Sequence, residues 1–275
     1  MRLDGRRVLI TGAGSGIGRA LAIGCAAKGA HLILAGRRQT ALDETIALLP
    51  AGHPAIAVPA DIASAGGRAA LHRAAAAQGA LDVLINNAGV VQSGALEMQS
   101  DVALEHLFAV NVLAPIALVR DLLPLLRAAE QPRVVSVGSV FGDIGHPLFA
   151  AYGASKFALR GFSDAMRREL AGEGIGVTYA APRATHTPAA EGFADLVEPF
   201  AMTMDNPEVV AAEIIRAIER GAPMAYPRGL ERLFVWIQRL FPGLIDQALS
   251  RKYQAWRSRQ SQSQVRPPAA VTEVR

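Results

Sequence analysis

Two side chains four positions apart, Tyr152 and Lys156 in the run Tyr152-Gly153-Ala154-Ser155-Lys156, are the pair in this 275-residue chain best suited to chemistry. On a helix, that spacing puts a phenol and an ammonium on one face. A phenol ionises near pH 10 or so, and near neutral pH it makes a poor proton donor and acceptor unless its anion is stabilised. One unit charge about 4 Å away contributes roughly 4 kcal/mol at an effective dielectric of 20, equivalent to about three pKa units before desolvation opposes it. Lys156 carries such a charge. The pair points to proton transfer at an oxygen, with an acidified phenol as the expected state.

A second constellation lies near the start of the chain. The apolar run 8–10 leads into Thr11-Gly12-Ala13-Gly14-Ser15-Gly16-Ile17-Gly18, and 19–27 has helical spacing. Strand, glycine loop and helix in that order make a dinucleotide site. Glycines let the backbone turn sharply and approach a pyrophosphate, while the free N–H groups and dipole of the following helix favour the anion. The plain alternative is a Gly-rich turn, and the three residues between Gly12 and Gly16 depart from the general G-x-G-x-x-G spacing.

The elements that must position these groups alternate. Strand-length apolar runs at 8–10, 32–35, 56–58, 83–85, 134–137 and 177–180 are separated by longer Ala- and Leu-rich stretches of helical spacing. Continuous rather than alternating apolar strands are buried on both faces, as in a parallel sheet covered by helices. The expected fold is one doubly wound α/β domain over 1–228, with about seven parallel strands, the last near Met224-Ala225-Tyr226. Within it, 187–206 lacks periodicity and carries Phe193, Phe200, Met202 and Met204, which reads as a mobile apolar flap. Residues 229–257 read as a C-terminal extension of two short amphipathic helices broken at Pro242-Gly243, and 258–275 as a disordered tail.

The glycine loop resembles the Thr-Gly-x-x-x-Gly-x-Gly loop of the short-chain dehydrogenase/reductase family, and the resemblance spans residues 6 to 228. Tyr152 and Lys156 match its Tyr-x-x-x-Lys motif, and Ser139, thirteen positions earlier, matches its catalytic serine. Asn111 matches the asparagine that kinks a helix and holds a water linking Lys156 to solvent. Asp61, beside Ile62, matches the adenine-contacting acid. Asn86-Asn87-Ala88-Gly89 matches the segment lining the adenosine site. Taken singly, Asp61 reads equally as a helix cap and Asn86-Asn87 as a loop start. The resemblance implies hydride transfer between nicotinamide and a carbonyl or alcohol carbon, with Tyr152 exchanging the proton, Ser139 holding the oxygen and Lys156 also binding the nicotinamide ribose. Oxidised nicotinamide adds a second positive charge near Tyr152. The implied class is an oxidoreductase acting on the CH–OH group with NADP as acceptor.

The dinucleotide contacts implied are Gly12, Ser15, Gly16, Ile17, Gly18, Asp61, Ile62, Asn87, Ala88, Gly89, Tyr152, Lys156, Pro182, Thr185 and Thr187. Where an acid after the second strand would select NAD(H), this chain has Gly36-Arg37-Arg38. Guanidinium forks suit a 2′-phosphate, so NADP(H) is expected, with Arg37 the main contact and Arg38 a second or stacking one. NAD(H) is the alternative, and solvated surface arginines the plain reading. One departure stands out: Arg183 follows Pro182 where the family usually has glycine, which bears on the nicotinamide loop. Thr187 falls at the expected offset, and Thr185 is the reserve.

Composition sets limits on other readings. Half the residues are hydrophobic, and the net charge of +4 comes from basic residues clustered late in the chain rather than from a DNA-reading stripe, so nucleic acid is not expected. The single cysteine, Cys25, and the scattered histidines offer no metal set. No export signal is read at the N-terminus, and no run reaches the roughly 18 to 20 uninterrupted apolar residues of a membrane span, so a soluble cytoplasmic protein is expected. His146 is read as a loop histidine outside catalysis. Phe141, Leu148, Phe149 and the flap aromatics suggest a pocket for a hydrophobic ketone or aldehyde. Within 230–249, the stretch around Phe234, Trp236, Ile237, Leu240 and Phe241 could pack in a subunit interface, cap the pocket or lie on a membrane surface, and packing is the expectation. The competing functions are a catalytically silent NADP(H) sensor or scaffold, a membrane-surface lipid ketone reductase, and a sugar-nucleotide epimerase or dehydratase that the chain length disfavours. A homodimer or homotetramer through the helices bearing Asn111 and Tyr152 is implied by the resemblance.

Overall fold

A computed structural model describes residues 1–227 and 229–265. Seven strands, β1 (Arg7–Thr11), β2 (His31–Gly36), β3 (Ala55–Pro59), β4 (Val83–Asn86), β5 (Arg133–Val137), β6 (Gly176–Ala180) and β7 (Met224–Ala225), form one parallel sheet in the order β3-β2-β1-β4-β5-β6-β7. The helices are α1 (Gly16–Ala26), α2 (Gln39–Ala47), α3 (Ala65–Ala77), α4 (Asp101–Phe108), α5 (Ala114–Arg127), α6 (Ala150–Glu169), α7 (Ala194–Val197), α8 (Pro207–Arg220), α9 (Glu231–Leu240) and α10 (Pro242–Val265).

Alternate residues of each strand feed different cores, which is why the strands read as unbroken apolar runs. Val8, Ile10, Leu32, Leu34 and Val135 join α1 and α8 on one face. Leu9, Ile33, Leu84, Val134 and Val177 join α3, α5 and α6 on the other. Strand order reverses between β1 and β4, and the crevice at their carboxyl ends is where a doubly wound sheet binds ligands.

Three expectations need correction. The helical stretch Asp101–Arg127 is long and apolar enough to cross a membrane by length and composition, with mean hydropathy 1.9, although no such run was expected. Scattered polar residues break its apolar runs without lowering the average much. Its Leu118, Leu122 and Leu126 are fully buried in the core. The flap carries regular structure: a short 3-10 turn (Pro188–Phe193) and α7 form within it, because Ala190, Phe193, Leu196 and Phe200 bury together. Helix α10 continues to Val265, so the tail expected from 258 is helical over its first part, and 266–275 lie outside the described residues. The run to 265 has no proline or glycine after Gly243 to stop it.

Candidate active site

Hydrogen bonds from one threonine join the two strands that flank the crevice. The Thr11 hydroxyl accepts the Asn87 and Ala88 amides, both at 3.0 Å, and the Asn87 side-chain amide donates to the Thr11 carbonyl at 2.9 Å. The glycine loop is thereby pressed against the turn after β4. A Cβ on Gly12, whose φ is +67°, would sit 2.9 Å from the Ala88 Cα, and one on Gly18 would sit 2.1 Å from the Gly12 carbonyl oxygen. Neither position can carry a side chain. The Ser15 side chain makes no capping hydrogen bond at the start of α1, so first-turn amides are left for an anion.

Two residues with no recognisable motif also shape this loop. Arg19 donates to the Gly14 carbonyl at 2.7 Å and to the Thr45 hydroxyl at 3.1 Å, and Thr45 donates to the Ala13 carbonyl at 3.0 Å. A fully buried threonine in α2 was the available signal, and it reads as helix interior in sequence.

The loop opens a single cleft of about 340 Å³ whose walls include Gly12, Ser15, Gly16, Ile17, Gly18, Arg37, Arg38, Asp61, Ile62, Asn87, Ala88, Gly89, Ser139, Tyr152, Lys156, Pro182, Thr185 and Thr187. Asn111 lies behind the wall. At the far end, Arg37 and Arg38 are exposed, and neither forms an ion pair among the described residues. Asp61 accepts the Ala63 amide at 3.0 Å rather than capping α3, whose cap is the Ser64 hydroxyl accepting from Gly67 at 3.0 Å.

At the near end, Ser139 follows β5, and Tyr152 and Lys156 occupy the first two turns of α6. The Ser139 hydroxyl accepts the Phe141 amide at 3.1 Å. The Lys156 ammonium donates to the Val137 carbonyl at 3.2 Å and lies 5.6 Å from the centre of the Tyr152 ring. Burial pushes the Tyr152 phenol up to about 12, against a downward pull from the Ser139 hydroxyl, and pushes Lys156 down to about 8. The expected acidified phenol is therefore absent from the protein alone. Desolvation penalises both charged forms, and the ammonium is anchored to a backbone carbonyl rather than aimed at the phenol oxygen.

Asn111 sits in a π-helical turn (Ala109–Leu113) between α4 and α5 and is almost wholly buried. Its amide nitrogen donates to the Val90 carbonyl at 2.9 Å and to the Ser155 hydroxyl at 3.1 Å, while its oxygen accepts the Val90 amide at 2.8 Å. The residue ties the β4 turn to α6. A Cβ on Gly89 would meet the Asn111 oxygen at 3.1 Å and the Lys156 nitrogen at 3.5 Å, so both polar groups face the same small space.

Tyr179, a fully buried residue of β6, was missed because it stands in an apolar strand and reads as core. Its hydroxyl accepts the Ser139 amide at 3.3 Å and lies 3.2 Å from the Ser139 carbonyl and 3.5 Å from that of Lys156. Space for it comes from Gly138 and Gly142, where a Cβ would fall 2.1 and 2.3 Å from the hydroxyl. One phenol thus fixes the backbones of two site residues from behind.

Arg183 does not adopt the positive φ that would call for glycine, and its guanidinium is drawn into ion pairs. It forms a two-pronged pair with Asp205 at 2.8 and 2.9 Å and a second pair with Glu231 of α9. Thr185 is buried and donates to the Arg183 carbonyl at 2.9 Å, while Thr187 packs where a Gly16 side chain would stand. Above the site, His146 stacks on Phe141 at 4.7 Å and meets Phe200 edge-on at 4.8 Å, with burial lowering its pKa. Tyr253 and Trp256 of α10 pack against the same aromatic cluster.

A family model described as short chain dehydrogenase matches residues 6–195. The ketoacyl reductase HetN of Nostoc sp. is 33% identical over 219 residues, covering 79% of this chain and 76% of that protein. A short-chain dehydrogenase/reductase from Burkholderia phymatum in complex with NAD superposes with a TM-score of 0.79 at 28% identity, over 89% of this chain and 96% of that one. A short-chain dehydrogenase from Sphingobium yanoikuyae in complex with NADPH has a TM-score of 0.75 at 26% identity, over 98% and 99%.

Replacing Tyr179 by Phe strands the Ser139 amide in the interior. Chemical denaturation should show a loss of about 1–3 kcal/mol, as for a buried donor left unpaired. A variant as stable as the parent would mean that the phenol does not hold this backbone.

Proposed function

Because the chain belongs to the short-chain dehydrogenase/reductase family, we propose that it interconverts a hydrophobic ketone or aldehyde and its alcohol with NADP(H), using Tyr152 as proton donor and acceptor. The observation that carries this reading is the convergence of Ser139, Tyr152 and Lys156 at one end of the cleft whose other end is the glycine loop. The cradle that Cβ atoms on Gly12 and Gly18 would fill suits a pyrophosphate, and Arg37 and Arg38 suit a 2′-phosphate.

When bound, the dinucleotide supplies or accepts the hydride. The remaining work falls to side chains of this chain. In reduction, the substrate oxygen lies between the Ser139 and Tyr152 hydroxyls, and Ser139 donates a hydrogen bond to the negative charge developing there. Tyr152 gives its proton to that oxygen, and a pKa raised by burial keeps the proton in place until then. Lys156 holds the nicotinamide ribose and, while protonated, stabilises the resulting phenolate. Asn111 fixes the turn of α6 that carries both groups. Phe141, Phe149, Phe193 and Met202 wall the substrate end and exclude water from a small polar centre, which favours an apolar carbonyl compound. The exposed Leu113 and Phe157, on the helices around Asn111 and Tyr152, fit a homo-oligomer joined through those helices. A silent nucleotide sensor remains the rival reading, since a fold alone does not make an enzyme.

Tyr152→Phe should retain NADPH binding, followed by nucleotide fluorescence, and lose about 10²- to 10⁴-fold in kcat across a panel of apolar ketones and aldehydes. Equal turnover by the variant would refute the role given to Tyr152, and none by the parent would favour the sensor. Arg37→Ala should weaken NADPH binding about 10- to 100-fold, the worth of a lost charge-assisted hydrogen-bond pair, and leave NADH binding unchanged. Equal losses for both cofactors would refute the 2′-phosphate role. Because the Lys156 pKa is lowered to about 8, its charge is present below that pH and lost above it. Carbonyl reduction, measured as kcat/KM, should accordingly decline as pH rises through the region of 8, and a flat profile to pH 10 or so would contradict the role given to Lys156.

A further inference from the structure

Helix α9 shows its faces in reverse. Glu231 and Val235, one turn apart, face the protein, with Val235 buried and Glu231 paired to Arg183. Leu233, Phe234, Trp236 and Leu240, followed by Phe241 and Leu244, face outward, and Trp236, Leu240 and Phe241 are 58, 63 and 62% exposed. An amphipathic helix on a globular surface normally turns its apolar stripe inward. Packing in a subunit interface was the sequence-based expectation for this stretch, and within one chain these side chains are left uncovered.

Charge and position qualify this face further. Residues 229–265 contain six basic and two acidic side chains, against a net charge of +4 for the whole chain, so the excess resides almost entirely here. Helix α10 is anchored beside the substrate mouth: Tyr253 and Trp256 join the cluster around Phe193 and Phe200, and the Lys252 ammonium donates to the Phe200 carbonyl at 2.9 Å.

We propose that α9 and the start of α10 dock on an anionic lipid bilayer. Trp236, Phe234, Leu240 and Phe241 would enter the headgroup boundary, with nearby arginines meeting the lipid phosphates. Trp, Phe and Leu on one side with Arg beside them is the chemistry of a helix lying in a membrane interface. A second copy of this chain would bring the same positive excess against this one, whereas an anionic bilayer offers the complementary charge. Resting on the carbonyl-reductase reading, the docking also names the substrate class: a lipid-like carbonyl compound reaching the pocket from the bilayer beside its mouth.

The test uses the full chain with vesicles of phosphatidylcholine alone and of phosphatidylcholine with phosphatidylglycerol, read by co-sedimentation. The parent should pellet with the anionic vesicles, less so as salt is raised. W236E/L240E, which alters only exposed positions, should bind at least about tenfold more weakly, since binding scales with the apolar area buried. It should keep the parent's rate on a water-soluble carbonyl. The proposal is overturned if the parent does not pellet with anionic vesicles, if parent and variant pellet equally, or if the parent is a dimer that the two substitutions dissociate, which would assign the face to a second copy. Failure of the catalytic reading would look different: no turnover by either protein, with vesicle binding intact.

Discussion

Everything at this site hangs on how the ends of β1 and β4 are joined. A parallel sheet whose order reverses between two strands leaves a crevice there, and a crevice without internal ties would expose backbone amides to solvent. The Thr11 hydroxyl accepts two amides from the β4 turn and donates to the Ile85 carbonyl at 3.4 Å, using its full hydrogen-bonding capacity in one place. Because that tie brings the turn so close, Gly12 and Gly18 must lack side chains, and because they do, the start of α1 is open to an anion. The glycines are consequences of the strand closure as much as of the ligand.

At the other end of the cleft the deciding effect is burial. A lysine beside a tyrosine suggests an acidic phenol, yet taking both groups out of water raises one pKa and lowers the other, toward a neutral pair. The protein by itself stores a protonated phenol. Under the proposed mechanism, proton release from Tyr152 would need further positive charge in the cleft, beyond what the protein alone supplies. Backbone groups keep the pair in register meanwhile: Val137 holds the ammonium, and Tyr179 and Asn111 hold the segments bearing Ser139, Tyr152 and Lys156.

Sequence alone revealed the strands, because residues such as Leu9 and Val8 are apolar for separate reasons, each serving a different face. Motif residues were legible because local spacing defines them. What stayed hidden depends on distant partners. Tyr179 becomes a positioning group only through the gaps at Gly138 and Gly142, some forty positions away. Arg183 stood out only as a departure from glycine, and it is a salt-bridge partner of Asp205 and Glu231, which no local pattern connects. The sign of the Tyr152 shift likewise needed burial as well as spacing.

The same Arg183 also reaches α9, through Glu231. Left to its own amphipathicity, the helix would rotate Trp236 and Leu240 inward, since burying two large apolar side chains outweighs a surface ion pair. The observed orientation instead pairs Glu231 with a partly buried Arg183 already oriented by Asp205, and puts Arg239 3.7 Å from an Asp143 that Arg160 and Tyr226 also hold. The departure from glycine at position 183 thus supplies an ion-pair partner for Glu231 at the start of α9. A residue in the wall of the cleft is thereby tied to α9, which links the pocket to whatever surface that helix meets.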